Sequence, residues 1–357
     1  MRDVQLCVDG KAYGGWKSVR IVRSIEQLAS SFVLDITEQW VGQDDRFPVA
    51  EGADCSIAID GNRVLTGYVD TVPRSYGPAA HNIGVNGRST TGDLVDCSAI
   101  YKTGQWGSAT LLKIAKDLCA PFGVVVKADA PVGAAFKSFS IQDGETVHEC
   151  IERAARMRGV LLTTASNGDL AIVRAGNGRI NTTLKYGVNV KHGNSTGSMK
   201  GRHSKYIVKG QSPGSDDFSG KKANQQRAEA ADQAVARYRP LIVMAEDAAT
   251  AQSLRDRAAW ERNTRAGKSQ RASYKVQGWE HDDGLWEPNK MVPVWDPVLM
   301  IDAELLLVSV ALVISESDGE IAELELTGAG AFGVKPLPAP KPKSKSKGLL
   351  DMLGGKF

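Results

Sequence analysis

Leu65-Thr66-Gly67-Tyr68-Val69, with Val85-Asn86-Gly87 beyond it, and Leu306-Leu307-Val308-Ser309-Val310, with Leu326-Thr327-Gly328 beyond it, are two strand-like pairs near opposite ends of the sequence. Gly87 stands as far past Leu65 as Gly328 stands past Leu306, and alternating aliphatics precede each pair, Ile57/Ile59 and Val292/Val294. Two β segments with the same internal spacing indicate a duplicated unit. The period-two rhythm extends outward from the first pair through Val4, Leu6 and Val8, then Val19 and Ile21, then Phe32, Leu34 and Ile36. Asp9-Gly10 and Asp60-Gly61 are short turn signals, because both central residues of a primed two-residue turn take positive φ. Residues 1–87 therefore read as a small β-barrel or sandwich.

The rhythm changes over residues 88–180, which read as an α+β domain. Ser108 is the expected cap of a helix with an apolar stripe of Leu111, Ala115 and Leu118, stopped by Pro121 and followed by the strand-like Val124-Val125-Val126. Thr146-Val147-His148-Glu149 is a capping-box pattern, Val147, Cys150, Ile151, Ala154 and Met157 supply a buried face, and Gly159 ends the helix. Residues 161–164 and 170–173 around Asn167-Gly168 read as a hairpin. Strand patterns return at 186–190 and 206–208. Two Ala- and Arg-rich stretches, 221–239 and 246–265, read as helices separated by Pro240. The expected fold is α+β, mainly β: a second, similar β-barrel from residues 181–219 and 267–334, interrupted by a helical insertion at 220–266.

The 357 residues are 42% hydrophobic and 24% charged, which excludes a disordered or collagen-like chain for most of the length. The start, Met1-Arg2-Asp3-Val4-Gln5, carries no signal-peptide pattern, so synthesis in a cytoplasm is expected. Cys7, Cys55, Cys97, Cys119 and Cys150 form no CxxC pair and read as free buried thiols. The net charge of +3 hides an imbalance: six Lys against Asp351 over 335–357, and eleven Lys/Arg against six Asp/Glu over 220–271, leave a mildly acidic body. Residues 335–357 begin as a Pro/Lys-rich, extended linker. They end in a short apolar peptide whose Leu349, Leu350, Met352, Leu353 and Phe357 are the candidate partner-binding residues.

The motifs that would carry chemistry are incomplete. Gly193-Asn194-Ser195-Thr196-Gly197 has the spacing of a nucleophile elbow but leads into a strand pattern instead of a helix. Gly328-Ala329-Gly330-Ala331-Phe332-Gly333 is followed by prolines where a dinucleotide fold needs a helix, and Gly267-Lys268-Ser269 has Arg262 where a phosphate loop needs glycine. Glu149 is explained by the capping box, which puts His148 in an exposed first turn. His81, His192, His203 and His281 have no i,i+4 partner, and His281-Asp282-Asp283-Gly284 reads as a turn. Trp279, Trp286 and Trp295 read as barrel packing. No catalytic, cofactor or metal site is expected.

Three stretches taken in order resemble the baseplate hub family of Mu-like contractile-tailed phages. They are Val19-Arg20-Ile21-Val22-Arg23-Ser24-Ile25-Glu26; Phe139-Ser140-Ile141-Gln142-Asp143-Gly144-Glu145-Thr146 with its helix; and Ala258-Ala259-Trp260-Glu261 followed by Gly278-Trp279 and Leu285-Trp286-Glu287-Pro288-Asn289. The middle stretch is also similar to late-control D proteins and to the hub part of secretion-system spike proteins. The resemblance covers residues 1–334. It implies two β-barrels per chain in a ring-shaped homotrimer, with the tail tube or distal tail protein, the central spike and the tape-measure protein as partners, in a virion baseplate with a DNA channel. Two other classes remain open: a tail-associated cell-wall hydrolase using Ser195 or Glu149, and a basic nucleic-acid-binding module using Arg255, Arg257 and Arg262.

Overall fold

The computed structural model describes residues 2–37, 49–77, 80–210, 227–245 and 251–333. The first β region contains β1 (Val4–Val8), β2 (Lys11–Tyr13), β3 (Ser18–Ser24), β4 (Ser31–Thr37), β5 (Asp54–Ile59), β6 (Asn62–Thr71), β7 (Arg74–Gly77) and β8 (Ala80–Ser89). The middle holds α1 (Gly92–Asp96), β9 (Gln105–Ala109), α2 (Leu111–Cys119), β10 (Val126–Ala128), β11 (Phe136–Ser140), α3 (Val147–Arg158), β12 (Leu161–Thr164) and β13 (Leu170–Val173). Then follow β14 (Leu184–Lys185), β15 (Val190–Gly197), β16 (Lys205–Lys209), β17 (Arg227–Ala231), β18 (Pro240–Met244) and α4 (Ala251–Lys268). The last β region is β19 (Gln270–Gln277), the short pair β20 (Glu280–His281) and β21 (Gly284–Leu285), β22 (Met291–Asp296), β23 (Ile301–Ser315) and β24 (Gly319–Gly328). The molecule is α+β and mainly β.

The first and last β regions share one sheet, in the order β15-β19-β24-β23-β3-β4-β8-β6-β5-β1-β2, with β14 and β22 joined at β23 and β7 joined at β8. The strands of the two regions correspond in order and register. β6 against β8 slips by one residue between Val69 and Thr71, opposite Gly87 and Asn86; β23 against β24 slips between Leu307 and Ser309, opposite Leu326 and Glu325. Past this shared bulge, Arg74 pairs with Ile83 as Leu312 pairs with Ala322, and Gly77 with Ala80 as Ser315 with Gly319. β4 lies on β8 as β19 lies on β24, and β3 lies on β4 as β15 lies on β19. The repeat proposed from sequence spacing thus involves the expected hairpins in a different register: Gly87 corresponds to Leu326, not Gly328. The backbones approach too closely at Gly87 for a side chain, since a Cβ there would lie 2.1 Å from the Tyr68 carbonyl and 2.5 Å from the Phe32 ring.

One apolar core serves both regions, drawing Leu6, Ile21, Phe32, Ile57 and Val85 from the first and Tyr274, Trp279, Leu307, Leu312 and Leu324 from the second. Trp279 is buried with its indole N–H shared between the Val313 and Ile321 carbonyls, 3.1 and 3.0 Å away. Trp295, expected inside, is 42% exposed. Cys97 is likewise exposed and Cys7 half-buried, whereas Cys55, Cys119 and Cys150 are buried as expected; all five are free thiols.

Local signals are realised closely. Asp9 and Gly10 have φ of 50° and 75°, and Asp60 and Gly61 of 50° and 81°, as primed turns require. Thr146 and Glu149 form the reciprocal capping box on α3, and Gly159 ends it at φ 64°. α2 is capped by Thr110 instead of Ser108, which belongs to β9. The expected strand at 186–190 is a turn between β14 and β15, with Gly187 at φ 73°. The middle region packs α1, α2 and α3 around a second core of Leu94, Ile114, Leu118, Ile151 and Leu170.

The expected helical insertion at 220–266 is corrected. Within 221–239, residues 227–231 form β17, which with β18 flanks β16 in a separate three-stranded sheet. Ala228 points into a small core with Val208, Leu254 and Ala258, so pairing partners override the helix propensity of an Ala-rich segment. Among the described residues of the two expected helices, only the second is helical, as α4. Residues 203–262 form a compact unit distinct from 1–202 with 263–333.

Ile21 sits at the junction of the repeats, opposite Phe32 on one side and Leu312 on the other. Ile21→Ala is expected to cost about 2–5 kcal/mol by cavity formation, and Thr146→Ala about 1 kcal/mol by loss of a cap. Urea unfolding of both variants checks the magnitudes and their order.

Candidate functional site

The structure dissolves the catalytic motifs into packing. Ser195 lies within β15, paired with Ala272 on β19, and the strand runs on to Gly197 with no helix directly after the serine, so it does not form a nucleophile elbow. The glycines at 267, 328 and 330 let the end of α4 lie against the turn that follows β24. A Cβ on Gly267 would fall 2.3 Å from the Ala331 nitrogen, one on Gly328 2.8 Å from the Gly267 Cα, and one on Gly330 2.7 Å from the Asn263 carbonyl. These glycines make backbone contact with backbone, not with phosphate.

Glu149 is occupied by the Thr146 amide at 2.8 Å. His148 is half-buried, contrary to the exposed first-turn position expected for it, and desolvation pushes its pKa below the ordinary histidine value. His281 lies at the β20–β21 turn, accepts from the Asp283 amide at 3.1 Å and meets Trp286 edge-on at 4.9 Å. Among the described residues no group of three or more His, Cys, Asp or Glu can hold a metal ion. Of the arginines, Arg257 is paired with Glu261 at 2.9 Å and Arg255 bonds Gln252 at 2.9 Å. Leu349, Leu350, Met352, Leu353 and Phe357 lie outside the described residues.

What the residues build instead is a junction between the two repeats. β3 from the first pairs antiparallel with the second half of β23, Val19 opposite Ile314 through Ser24 opposite Ser309. Charged groups flank it. Arg20 on β3 and Lys275 on β19 converge on Glu323 of β24, at 2.8 and 3.0 Å. Partial burial works to raise the Glu323 carboxyl, but these two bonds outweigh it and hold the group below its ordinary range. Arg271 pairs with Glu26, and Arg2 joins Asp60 to Glu280 at 2.6 and 2.5 Å. Sequence reading passed over these pairs because none is local: Arg20–Glu323, Arg271–Glu26 and Arg2–Glu280 join opposite ends of the chain, and the other two join residues dozens of positions apart.

Residues 3–89 match the Mu phage baseplate assembly protein GpP-like N-terminal domain, 91–174 the second domain of gp44-like baseplate hub proteins, 202–259 the third domain of NMB1110-like tail proteins, and 249–335 the fourth domain of Mu phage baseplate assembly protein GpP. These matches define a structural protein of a phage tail baseplate. The chain is 37% identical to the baseplate hub protein gp44 of Escherichia phage Mu over 88% of its own length and 85% of the relative's. A 43 kDa tail protein of prophage MuSo2 from Shewanella oneidensis has the same fold at TM-score 0.81 and 36% identity, covering 93% of this chain and 99% of that one. A tail protein from Neisseria meningitidis MC58 follows at 0.76 and 25%, covering 94% and 99%. The chain belongs to the Mu-type baseplate hub family.

If the glycine cluster serves packing, Gly267→Ala lowers stability by about 1–3 kcal/mol through overpacking, and magnesium ATP leaves the melting temperature of the parent chain unchanged. Chemical unfolding and a thermal-shift titration check the two outcomes.

Proposed function

We propose that this hub is a homotrimer in which each chain supplies two β-barrels, so that three chains present six similar units to a hexameric tail tube and a threefold face to a trimeric central spike. The ring leaves a channel for DNA, is assembled in the host cytoplasm and remains in the virion baseplate. The observation that carries this reading is the register-matched repeat: β6-β7-β8 and β23-β24 share a bulge and a hairpin end, so one chain offers the same surface twice. A protein that adapts sixfold to threefold symmetry needs two near-equivalent surfaces per subunit and no enclosed pocket. The role is structural, without a catalytic step or cofactor; the tape-measure protein is a further partner. The apolar residues Leu349, Leu350, Met352, Leu353 and Phe357, carried on the Pro/Lys linker, dock on a neighbouring baseplate protein.

Light scattering during size exclusion is expected to give three times the 38.2 kDa chain mass, as ring-shaped particles in negative stain. A monomer at every concentration, with and without the spike, would overturn the reading. Deleting residues 341–357 is expected to leave that mass per subunit intact and to reduce capture of baseplate partners in pull-downs; unchanged capture removes the docking role.

A further inference from the structure

The internal repeat leaves one pairing unmatched. The long strand β23 carries β22 on the first half of its outer edge and β3 on the second half. Its counterpart in the first repeat is β6 continued by β7 past the break at Val72 and Pro73. There β5 covers the first half, as β22 does on β23, but among the described strands β7 is paired with β8 alone. The counterpart of β3 is β15, and it is paired with β19 alone. The sheet therefore has a β3-like strand at one end and the place for such a strand at the other.

We propose that β15 of one copy of this chain pairs antiparallel with β7 of a second copy, in the register that β3 takes on β23. Carrying that register across the repeat sets Val72 opposite Gly197, Arg74 opposite Ser195 and Ser75 opposite Asn194, as Val310, Leu312 and Val313 stand opposite Arg23, Ile21 and Arg20.

The backbone directions agree on both strands. The Pro73 carbonyl accepts from the Gly84 amide at 2.8 Å, so Pro73 faces β8, and its lack of an N–H costs the outer edge nothing. Val72 and Arg74, one residue either side, face outward. On β15 the Ser198 amide donates to the Ser269 carbonyl at 2.8 Å, so Ser198 faces β19 and by alternation Gly197 and Ser195 face outward. The outward residues of one strand are those that the carried register places opposite the outward residues of the other. The side chains fit the same use: β15 is exposed along most of its length, lacks proline and carries small residues, so nothing on it blocks an incoming strand. In the single chain the outward Val72 carbonyl is held by its own neighbour, the Arg74 guanidinium, at 3.3 Å. The Gly197 amide replaces that long contact on pairing.

The contact is head to tail, one edge meeting a different edge, so it repeats from copy to copy, and with a rotation of one third of a turn per copy it closes as a three-membered ring. It rests on the trimer reading above and supplies its interface.

Ser75 and Asn194 form a pair without backbone hydrogen bonds in this register, for which Cα atoms lie about 4.5 Å apart, within disulfide reach. The test uses the full-length chain carrying Ser75→Cys and Asn194→Cys. Mild oxidation is expected to give reducible dimers and trimers on a non-reducing gel, absent from either single variant and from the Ser75→Cys, Ser195→Cys pair, whose register is one residue out. A second variant, Ser195→Pro, removes an amide that β19 does not use; it is expected to keep the circular dichroism spectrum and lose the trimer mass. A trimer that gives no cross-link and survives Ser195→Pro overturns this pairing and leaves the hub reading standing. A chain that stays monomeric and gives no cross-link overturns both.

Discussion

The seam between β3 and β23 is the constraint on which the rest of this structure depends. Six backbone pairs, Val19 opposite Ile314 through Ser24 opposite Ser309, join two strands more than two hundred residues apart and convert two β regions into one sheet. Ile21 and Leu312 meet there, both buried, and belong to the same apolar core as Phe32 and Leu324. A pairing of such sequence separation carries a large loop-closure entropy, and it is stable here because a shared core forms with it. The α+β region falls in sequence between the repeats and the unit at 203–262 falls between β15 and β19 of the second, so neither interrupts a strand of the seam.

The same logic explains what the motifs of enzyme-like appearance do in this fold. Gly267, Gly328 and Gly330 lie where α4 returns the chain to the sheet, and each is required because backbone atoms of a neighbouring element occupy the space of a Cβ. The capping box consumes Glu149. Charged groups are tied in pairs, some within a repeat, such as Lys275 on Glu323, and some across the repeat boundary, such as Arg20 on the same carboxylate.

How much of this was legible in the sequence follows from the range of the interaction. Turns at Asp9-Gly10 and Asp60-Gly61, the cap at Thr146 and the stop at Gly159 are decided by a few neighbouring residues and were read directly. β17 was misread as helix because Ala-rich segments favour helices locally, while its actual partner, β16, ends at Lys209, well before it in the sequence. The duplication was visible as hydrophobic spacing, yet its register was not. The bulges at 69–71 and 307–309 shift the pairing, and a bulge leaves no composition signature. The candidate docking residues at 349–357 belong to no described element, so their role rests on the composition of that segment alone. Family resemblance carried the function, since no single site does.

Divergence between β3 and β15 gives the repeat its direction. At corresponding positions β3 has Val19 and Ile21, both buried, whereas β15 has Gly193 and Ser195. The difference is enforced from below: a Cβ at Gly193 would lie 2.9 Å from the Tyr274 ring, so the aromatic residue fills from β19 the volume that Val19 fills from β3. A strand that pairs within its own chain is covered as folding completes and can carry apolar side chains without risk. A strand that waits for a second copy stays in water meanwhile, and an apolar edge there would recruit any other edge it met. In the proposed pairing, small polar residues make each contact weak on its own, and closure of the proposed ring makes the set of contacts strong, because the last one forms without loss of translational freedom. The chain thus keeps one copy of the pairing for its fold and holds the other in reserve for assembly.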